Sequence, residues 1–207
     1  ARKAKAHYFD LTEDVATSKE IRKISAGAES AFVPHCGLAP GTIQILAYDL
    51  AKGFERLREV HMRVGALPQF PTNDLMYNLT WSTDGLINEY CNPCEIIDGG
   101  QLAHAQALDG LEQFSLDGVT YECFHTSGGL GTLCDTLAGR VDSLNYKTVR
   151  YPGHRDLARF LTRGLRLGER REIFRDILET AVPITAQDVV LVFATVTGWK
   201  DGLLTRV

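Results

Sequence analysis

Residues 31–42 read Ala31-Phe32-Val33-Pro34-His35-Cys36-Gly37-Leu38-Ala39-Pro40-Gly41-Thr42. An apolar run from Ala31 to Cys36 has the length and composition of a strand. Gly37 to Gly41 then forms a tight turn, with glycines where the backbone must bend sharply and Pro40 near a helix start, where a missing N–H costs nothing. From Thr42 to Lys52 the spacing predicts a helix with Ile45, Leu46 and Leu50 toward a core, closed by Gly53. Working backwards, Ala6 to Leu11 reads as a strand, and Ser18 to Ser25 as a helix with Ile21 and Ile24 on one face and Gly27 behind it as a C-cap. The order is β-α-β-α, the pattern of a parallel sheet covered by helices.

The pattern changes after Gly53. Leu57 to Val64 reads as a strand, Asp74 to Trp81 as a strand or the start of a helix, and Leu86 to Tyr90 as a segment before the Asn92-Pro93 turn. Glu112 to Leu116 and Val119 to Phe124 flank Asp117-Gly118, a strong hairpin signal. Leu144 to Tyr151 is a strand, and Arg155 to Leu165 and Arg170 to Thr180 are helices, the last with a core stripe of Ile173, Phe174, Ile177 and Leu178. Val189 to Val196 is a late, β-branched strand suited to a sheet edge. An exposed edge invites pairing, and the expected partner is a second copy of the chain. The fold class expected from these elements is α/β: a parallel sheet covered by helices over residues 1–53, followed by an α+β part, residues 54–207, whose mixed or antiparallel sheet is flanked by helices.

Of the 207 residues, 44% are hydrophobic and 23% charged, with a net charge of -4. Those proportions suit a globular protein with a core of useful size. Interspersed charges of both signs argue against a nucleic-acid partner, which calls for a basic face, and against a polybasic membrane contact. No apolar run reaches the roughly 20 residues of a membrane span, and no signal-type stretch follows the basic start Ala1-Arg2-Lys3. The chain therefore reads as cytoplasmic. Its five cysteines read as reduced thiols rather than a disulfide framework. A strand-like segment begins almost at the first residue and no initiator Met precedes it, so the expectation is a chain cut from a longer protein.

Chemistry concentrates at His35 to Gly41. In open α/β sheets ligands bind beyond the carboxyl ends of the strands, and the N-terminus of the following helix, with unpaired N–H groups and a positive dipole end, suits an anion. Cys91-Asn92-Pro93-Cys94 has the spacing of a redox pair or half a zinc site, but no second pair completes a metal set. Cys36 beside His35 invites a thiolate-nucleophile reading, that of a transferase or hydrolase. Neighbours on a strand point to opposite faces, which works against it.

Four strings occur in order. They are the strand running into Gly37-Leu38-Ala39-Pro40-Gly41; Trp81-Ser82-Thr83-Asp84-Gly85-Leu86-Ile87 with Glu89-Tyr90 and Pro93 after it; Phe124-His125-Thr126-Ser127-Gly128-Gly129-Leu130-Gly131-Thr132-Leu133; and Arg150-Tyr151-Pro152-Gly153-His154. Together they resemble the saccharopine dehydrogenase family, including its lysine 6-dehydrogenase-like members. The resemblance implies an N-terminal Rossmann domain, of which the first fifty residues would be the tail, followed by an α+β substrate domain. It implies hydride transfer between NAD or NADP and a C–N carbon of an amino-acid substrate. The Rossmann fingerprint itself, G-x-G-x-x-G, is absent from the first thirty residues. Under the resemblance His35 or His154 would handle a proton at nitrogen, and Arg150 or Arg155 would hold a carboxylate. Trp81 would line the pocket, with Ser82, Thr126 and Ser127 as hydrogen-bonding groups and Pro40 and Gly41 beside the substrate. Cys36 and Gly37 would lie between substrate and cofactor. Thr83 and Asp84 stand where many saccharopine reductases carry an Arg, which leans away from saccharopine toward a smaller or more basic amino acid. The competing reading is a binding module of the same fold without catalysis.

Overall fold

The computed structural model describes all residues 1–207. Its first unit is small. Strand β1 (Tyr8–Phe9) pairs in parallel with β2 (Phe32–Val33), and helix α1 (Val15–Ser25) connects them. Asp14 caps α1 by accepting the Thr17 N–H, and Gly27 follows its end at φ 70. Helix α2 (Thr42–Ala51) then leads into β3 (Arg56–Pro68).

An eight-stranded mixed sheet makes up the rest, with order β10-β9-β3-β8-β4-β5. At its centre β3 runs parallel to β8 (Val141–Arg150), in register from Leu57↔Val141 to Val64↔Thr148. On the other edge of β3 lies β9 (Asp188–Lys200), antiparallel along nearly its whole length, and β10 (Leu203–Arg206) pairs with the far end of β9. The second edge of β8 is shared. The antiparallel pair β4 (Cys94–Asp98) and β5 (Gln101–Ala105) meets it at Leu144, while β6 (Glu112–Leu116) and β7 (Val119–His125) form the expected hairpin and pair with it from Lys147 to Arg150. Asp117 and Gly118 both have positive φ, 51 and 80, as a two-residue turn of that hairpin requires.

Helices cover one face of this sheet. Ile43, Ala47 and Ala51 of α2 and Leu133 and Leu137 of α4 (Leu133–Leu137) pack on Val60, Met62, Leu144, Tyr146 and Val196. A second core under α3 (Thr83–Cys91), α5 (His154–Arg159) and α6 (Arg171–Ala181) joins Leu86, Ile87, Tyr90, Phe124, Ala158, Phe174 and Leu178. The opposite face carries a cluster with no helix in it: Leu67, Tyr121, Cys123 and Val149, with Phe114, Tyr151, Val189, Leu191 and Phe193 half-buried around them.

Several details differ from the expectations. The buried stripe of α2 is Ile43, Ala47 and Ala51, while Ile45 is 71% exposed and Leu46 and Leu50 also face outward. Small residues let the helix lie close on the sheet, and the larger ones were the misleading cue. On α6 Phe174 and Leu178 are buried but Ile173 and Ile177 are exposed. Asp74 to Trp81 is neither strand nor helix: Leu79 bridges Ile184 singly and the rest is loop. Leu86 to Tyr90 lies inside α3, which starts because the Ser82 side chain accepts the Gly85 N–H. No helix is long and apolar enough to cross a membrane.

Candidate functional site

Two parallel pairs set the site. The carboxyl ends of β1 and β2 deliver Leu11, Glu13, Gly37, Leu38 and Ala39 to a cleft of about 400 Å³. The carboxyl halves of β3 and β8 deliver Val64, Ala66, Tyr146, Thr148 and Arg150 to the same cleft, on the helix-covered face. The start of α3 closes it with Trp81, Ser82 and Glu89. A smaller polar recess of about 80 Å³ adjoins through Glu13, lined by His35, Ser18, Arg22, Thr126 and the Gly128–Gly131 loop.

The glycines stand where chain segments approach closely. Gly41 sits at φ 140, and a Cβ there would fall 2.7 Å from His35 O and closer still to Gly37 O. Gly129 lies against the ring of Tyr146, and Gly128, at φ 87, against the backbone of Glu13. Gln44 fastens these parts together. Its side-chain oxygen accepts the Gly41 N–H and its amide donates to Gly129 O.

The N-terminus of α2 does not offer the anion site expected of it. Gly41 N–H goes to Gln44, Thr42 N–H to Gly37 O at 2.9 Å, Ile43 N–H to Leu38 O at 3.1 Å and Gln44 N–H to Gly41 O at 3.1 Å. Every amide that a helix leaves over for a ligand is used within the turn. These residues therefore do not fit the pyrophosphate of a dinucleotide.

Arg150 is the cation of the cleft. Its side chain is buried, Nε donates to Tyr90 Oη at 3.0 Å and Nη1 to Val149 O at 2.9 Å, and the guanidinium lies 4.9 Å from the Tyr77 ring centroid. Nη2 is left over and lies 3.8 Å from Glu89 Oε2. Glu89 is 7% exposed, and its Oε2 has no hydrogen-bond partner. Burial pushes the Glu89 carboxyl up to about 7; Arg150 opposes that rise and Glu13 adds to it.

The two histidines are separated. His154 lies behind the cleft wall, fully buried, with Nε2 2.8 Å from Tyr90 Oη and Nδ1 2.8 Å from Leu75 O. Burial, with Arg150 nearby, drives its pKa down to about 3, so the ring is neutral, with Nδ1–H donating to Leu75 and Nε2 accepting from Tyr90. It holds Tyr90, which holds Arg150. His35 lies in the polar recess with Nε2 2.6 Å from Ser18 Oγ, and burial lowers its pKa.

The remaining expected residues divide in the same way. Trp81 forms a wall, its Nε1 donating to Tyr77 Oη at 3.0 Å, and the far edge of its ring occupies the space that a Cβ on Gly85 would need. Ser82 lines the cleft while capping α3. Thr126 faces the recess and bonds Thr148 at 2.9 Å. Ser127 donates instead to Pro93 O at 2.9 Å and ties the glycine-rich loop to the end of α3. Gly37 lines the cleft, whereas Pro40, behind a cis Ala39-Pro40 bond, and Gly41 shape the turn. The Cys36 thiol is exposed and donates to Val33 O at 3.1 Å, and the His35 ring is engaged with Ser18. Arg155 pairs with its neighbour Asp156, away from the cleft. Burial pushes the Cys94 thiol up to about 12, far from a thiolate at neutral pH.

A sequence model of the saccharopine dehydrogenase C-terminal domain matches residues 37–189. The chain belongs to that family. Saccharopine dehydrogenase (L-Glu forming) from Saccharomyces cerevisiae, in its apo histidine-tagged form, has a similar fold, with a TM-score of 0.62 and 15% identity over 84% of the present chain. The chain spans 58% of that yeast enzyme's length. Within this saccharopine dehydrogenase C-terminal domain, the residues the sequence did not single out for a role are Glu89, Tyr90, Tyr77, Gln44 and Thr148. Glu89 carried a signal: a carboxylate among Leu86, Ile87 and Tyr90 on a helix that must be buried.

Proposed function

We propose that the cleft binds the substrate of an oxidoreductase acting on a C–N carbon of an amino acid, with NAD or NADP as hydride acceptor or donor. The observation that carries the reading is Arg150, a buried guanidinium with one free N–H face at the end of a largely apolar cleft. Nη2 would take a substrate carboxylate oxygen, a charge-assisted contact that gains strength away from water. Trp81, Leu38 and Ala39 would exclude water from the substrate chain. We assign Cys36 and Gly37, after the carboxyl end of β2, to the junction of nucleotide and substrate. The nucleotide supplies or takes the hydride when bound; the residues of this chain supply orientation and electrostatics.

Residues 1–53 then act as the tail of a nucleotide-binding domain and residues 54–207 as the substrate part, with α2 physically shared because it packs on the large sheet. The two-residue ladder of β1 and β2 supports this: two short strands are marginal unless more pair with them. The helix-free face supports a homodimer through a second copy of this chain, since Leu191 and Phe193 have no helix over them and the outer edge of β9 from Asp188 to Thr195 is unpaired. A cytoplasmic, reduced setting agrees with five unpaired cysteines.

The test is an amino-acid panel read through nicotinamide absorbance on the protein as its gene encodes it, beside an NADPH fluorescence titration of residues 1–207. Turnover of an amino acid by the former and weak nucleotide binding by the latter are expected. Tight NADPH binding by residues 1–207 overturns the domain assignment. The occupied amides of α2 favour one alternative, a binding module without catalysis, which full-length protein with no turnover would establish.

A further inference from the structure

Glu89 is a costly residue where it stands. Its side chain is buried on α3, its Oε2 has no hydrogen-bond partner, and Arg150 Nη2 at 3.8 Å is too far to be one. Buried carboxylate oxygens are normally satisfied, and an exception calls for a reason. Glu89 also lines the cleft, and its nearest cation is the group assigned to a substrate carboxylate. The groups facing it are Arg150 and Tyr146 from β8, Thr148 from the same strand, which hydrogen-bonds the carboxyl group, Glu13 ahead of α1, Tyr77 from the loop before α3, Tyr90 on α3 itself, and Cys94 from β4. A substrate carboxylate would thus be the second carboxylate, after Glu89, at one guanidinium, with Glu13 close by, so the cleft is short of positive charge.

From this geometry we infer that Glu89 Oε2 receives the ammonium group of the substrate while Arg150 Nη2 receives its carboxylate, so that the pair reads both ends of an amino-acid head group. Glu89 is then a specificity residue in contact with substrate. The inference rests on the proposed amino-acid reading of the cleft and adds the residue that distinguishes an amine from a plain carboxylic acid. A ligand ammonium supplies the missing partner for Oε2 and balances the second carboxylate. The apolar walls at Val64, Ala66 and Leu38 take the side chain.

Titration calorimetry on the chain with three probes of one chain length tests this: L-norleucine, hexanoate and hexylamine. Wild type should bind L-norleucine roughly tenfold to a hundredfold more tightly than hexanoate, the factor expected of a charged hydrogen bond. Glu89→Gln should bring the two ligands to parity, with hexanoate gaining affinity because a competing carboxylate no longer faces Arg150. Glu89→Asp, which keeps the charge, should restore part of the preference, an outcome that a merely structural role would not give. A Glu89→Gln protein that keeps the full preference overturns the inference and leaves the carboxylate site standing. Wild type that binds none of the three overturns both readings. Should Glu89→Gln fail to fold, Glu89→Asp decides alone: a preference for L-norleucine weaker than that of wild type supports the inference, and an unaltered one overturns it.

Discussion

His154 and Arg150 share no hydrogen bond, yet one phenol joins them: Tyr90 Oη lies 2.8 Å from His154 Nε2 and 3.0 Å from Arg150 Nε. The histidine is thus a positioning residue, two bonds removed from the cleft. His154→Phe leaves Tyr90 Oη and Leu75 O short of a partner, and should destabilise the fold by roughly 1–3 kcal/mol for each unsatisfied group. Urea unfolding reads the loss. Ligand affinity should fall through misplacement of Arg150, with the pH dependence of binding unchanged; a lost titration step would make His154 a proton carrier instead.

Arg150→Leu strands Glu89 as a buried charge without a counter-ion. Breaking a buried pair this way costs roughly 3–5 kcal/mol, far more than the pair contributes when intact. The companion Arg150→Leu/Glu89→Gln should recover much of that loss, because neither charge remains. A double-mutant cycle by chemical denaturation measures the coupling.

Glu89 and His154 give stability opposite pH slopes. The folded-state pKa of Glu89, about 7, lies above its ordinary 4.5, so its contribution is full below 4.5 and lost as pH rises to 7. Glu89→Gln should therefore gain on wild type between pH 5 and 8, by up to about 3 kcal/mol. His154, held down near 3, contributes fully above 6.5 and loses that contribution as pH falls. His125, near 4 through burial and the neighbouring Lys147, acts in the same direction. Burial raises the pKa of Glu112, but its bonds to Lys147 and Arg63 outweigh that and hold it near 2, so it too withdraws support only as acid rises. Unfolding followed at pH 4, 6 and 8 separates these effects.

Gly41→Ala should cost at least about 2 kcal/mol, since φ 140 and two carbonyl oxygens both exclude a side chain. Gly27→Ala, also at positive φ but with open space around it, is the control and should cost less. Melting temperatures of the two variants decide the order.

Phe193→Glu places a charge on the helix-free face. Light scattering should show a dimer for wild type and a monomer for the variant, with an unchanged circular dichroism spectrum. A wild-type monomer removes the homodimer from the proposal.

The β-α-β-α opening, the Asp117-Gly118 hairpin and the late strand were legible because each rests on local chemistry: turn residues, capping and period. The faces of α2 and α6 were not, because which apolar residues are buried depends on how closely a helix lies on its sheet. Ala47 and Ala51 won by being small, and Ile43 lies in line with them one turn earlier on the same face. In the site, Arg150 and Trp81 were legible through the motifs that hold them. Glu89 was passed over because its importance comes from burial beside Arg150, which lies far along the chain on another element. His154 could not be located for the same reason: a histidine next to a motif arginine invites a chemical role, and only the third dimension puts Tyr90 between them.

The central strand has one more consequence. β3 is flanked by β8 and β9, whose residues follow it in the chain by a long interval, from Leu57↔Val141 on one side to Pro68↔Asp188 on the other. As the polypeptide leaves the ribosome, thirteen residues that include Leu57, Val60, Met62, Val64 and Leu67 wait with both edges unpaired until most of the remaining sequence has emerged. Loop closure over such distances is slow, and waiting strands of this kind are prone to associate wrongly. Val64 and Ala66 on β3 meet Thr148 and Arg150 only then, so the cleft is among the last things the newborn chain acquires.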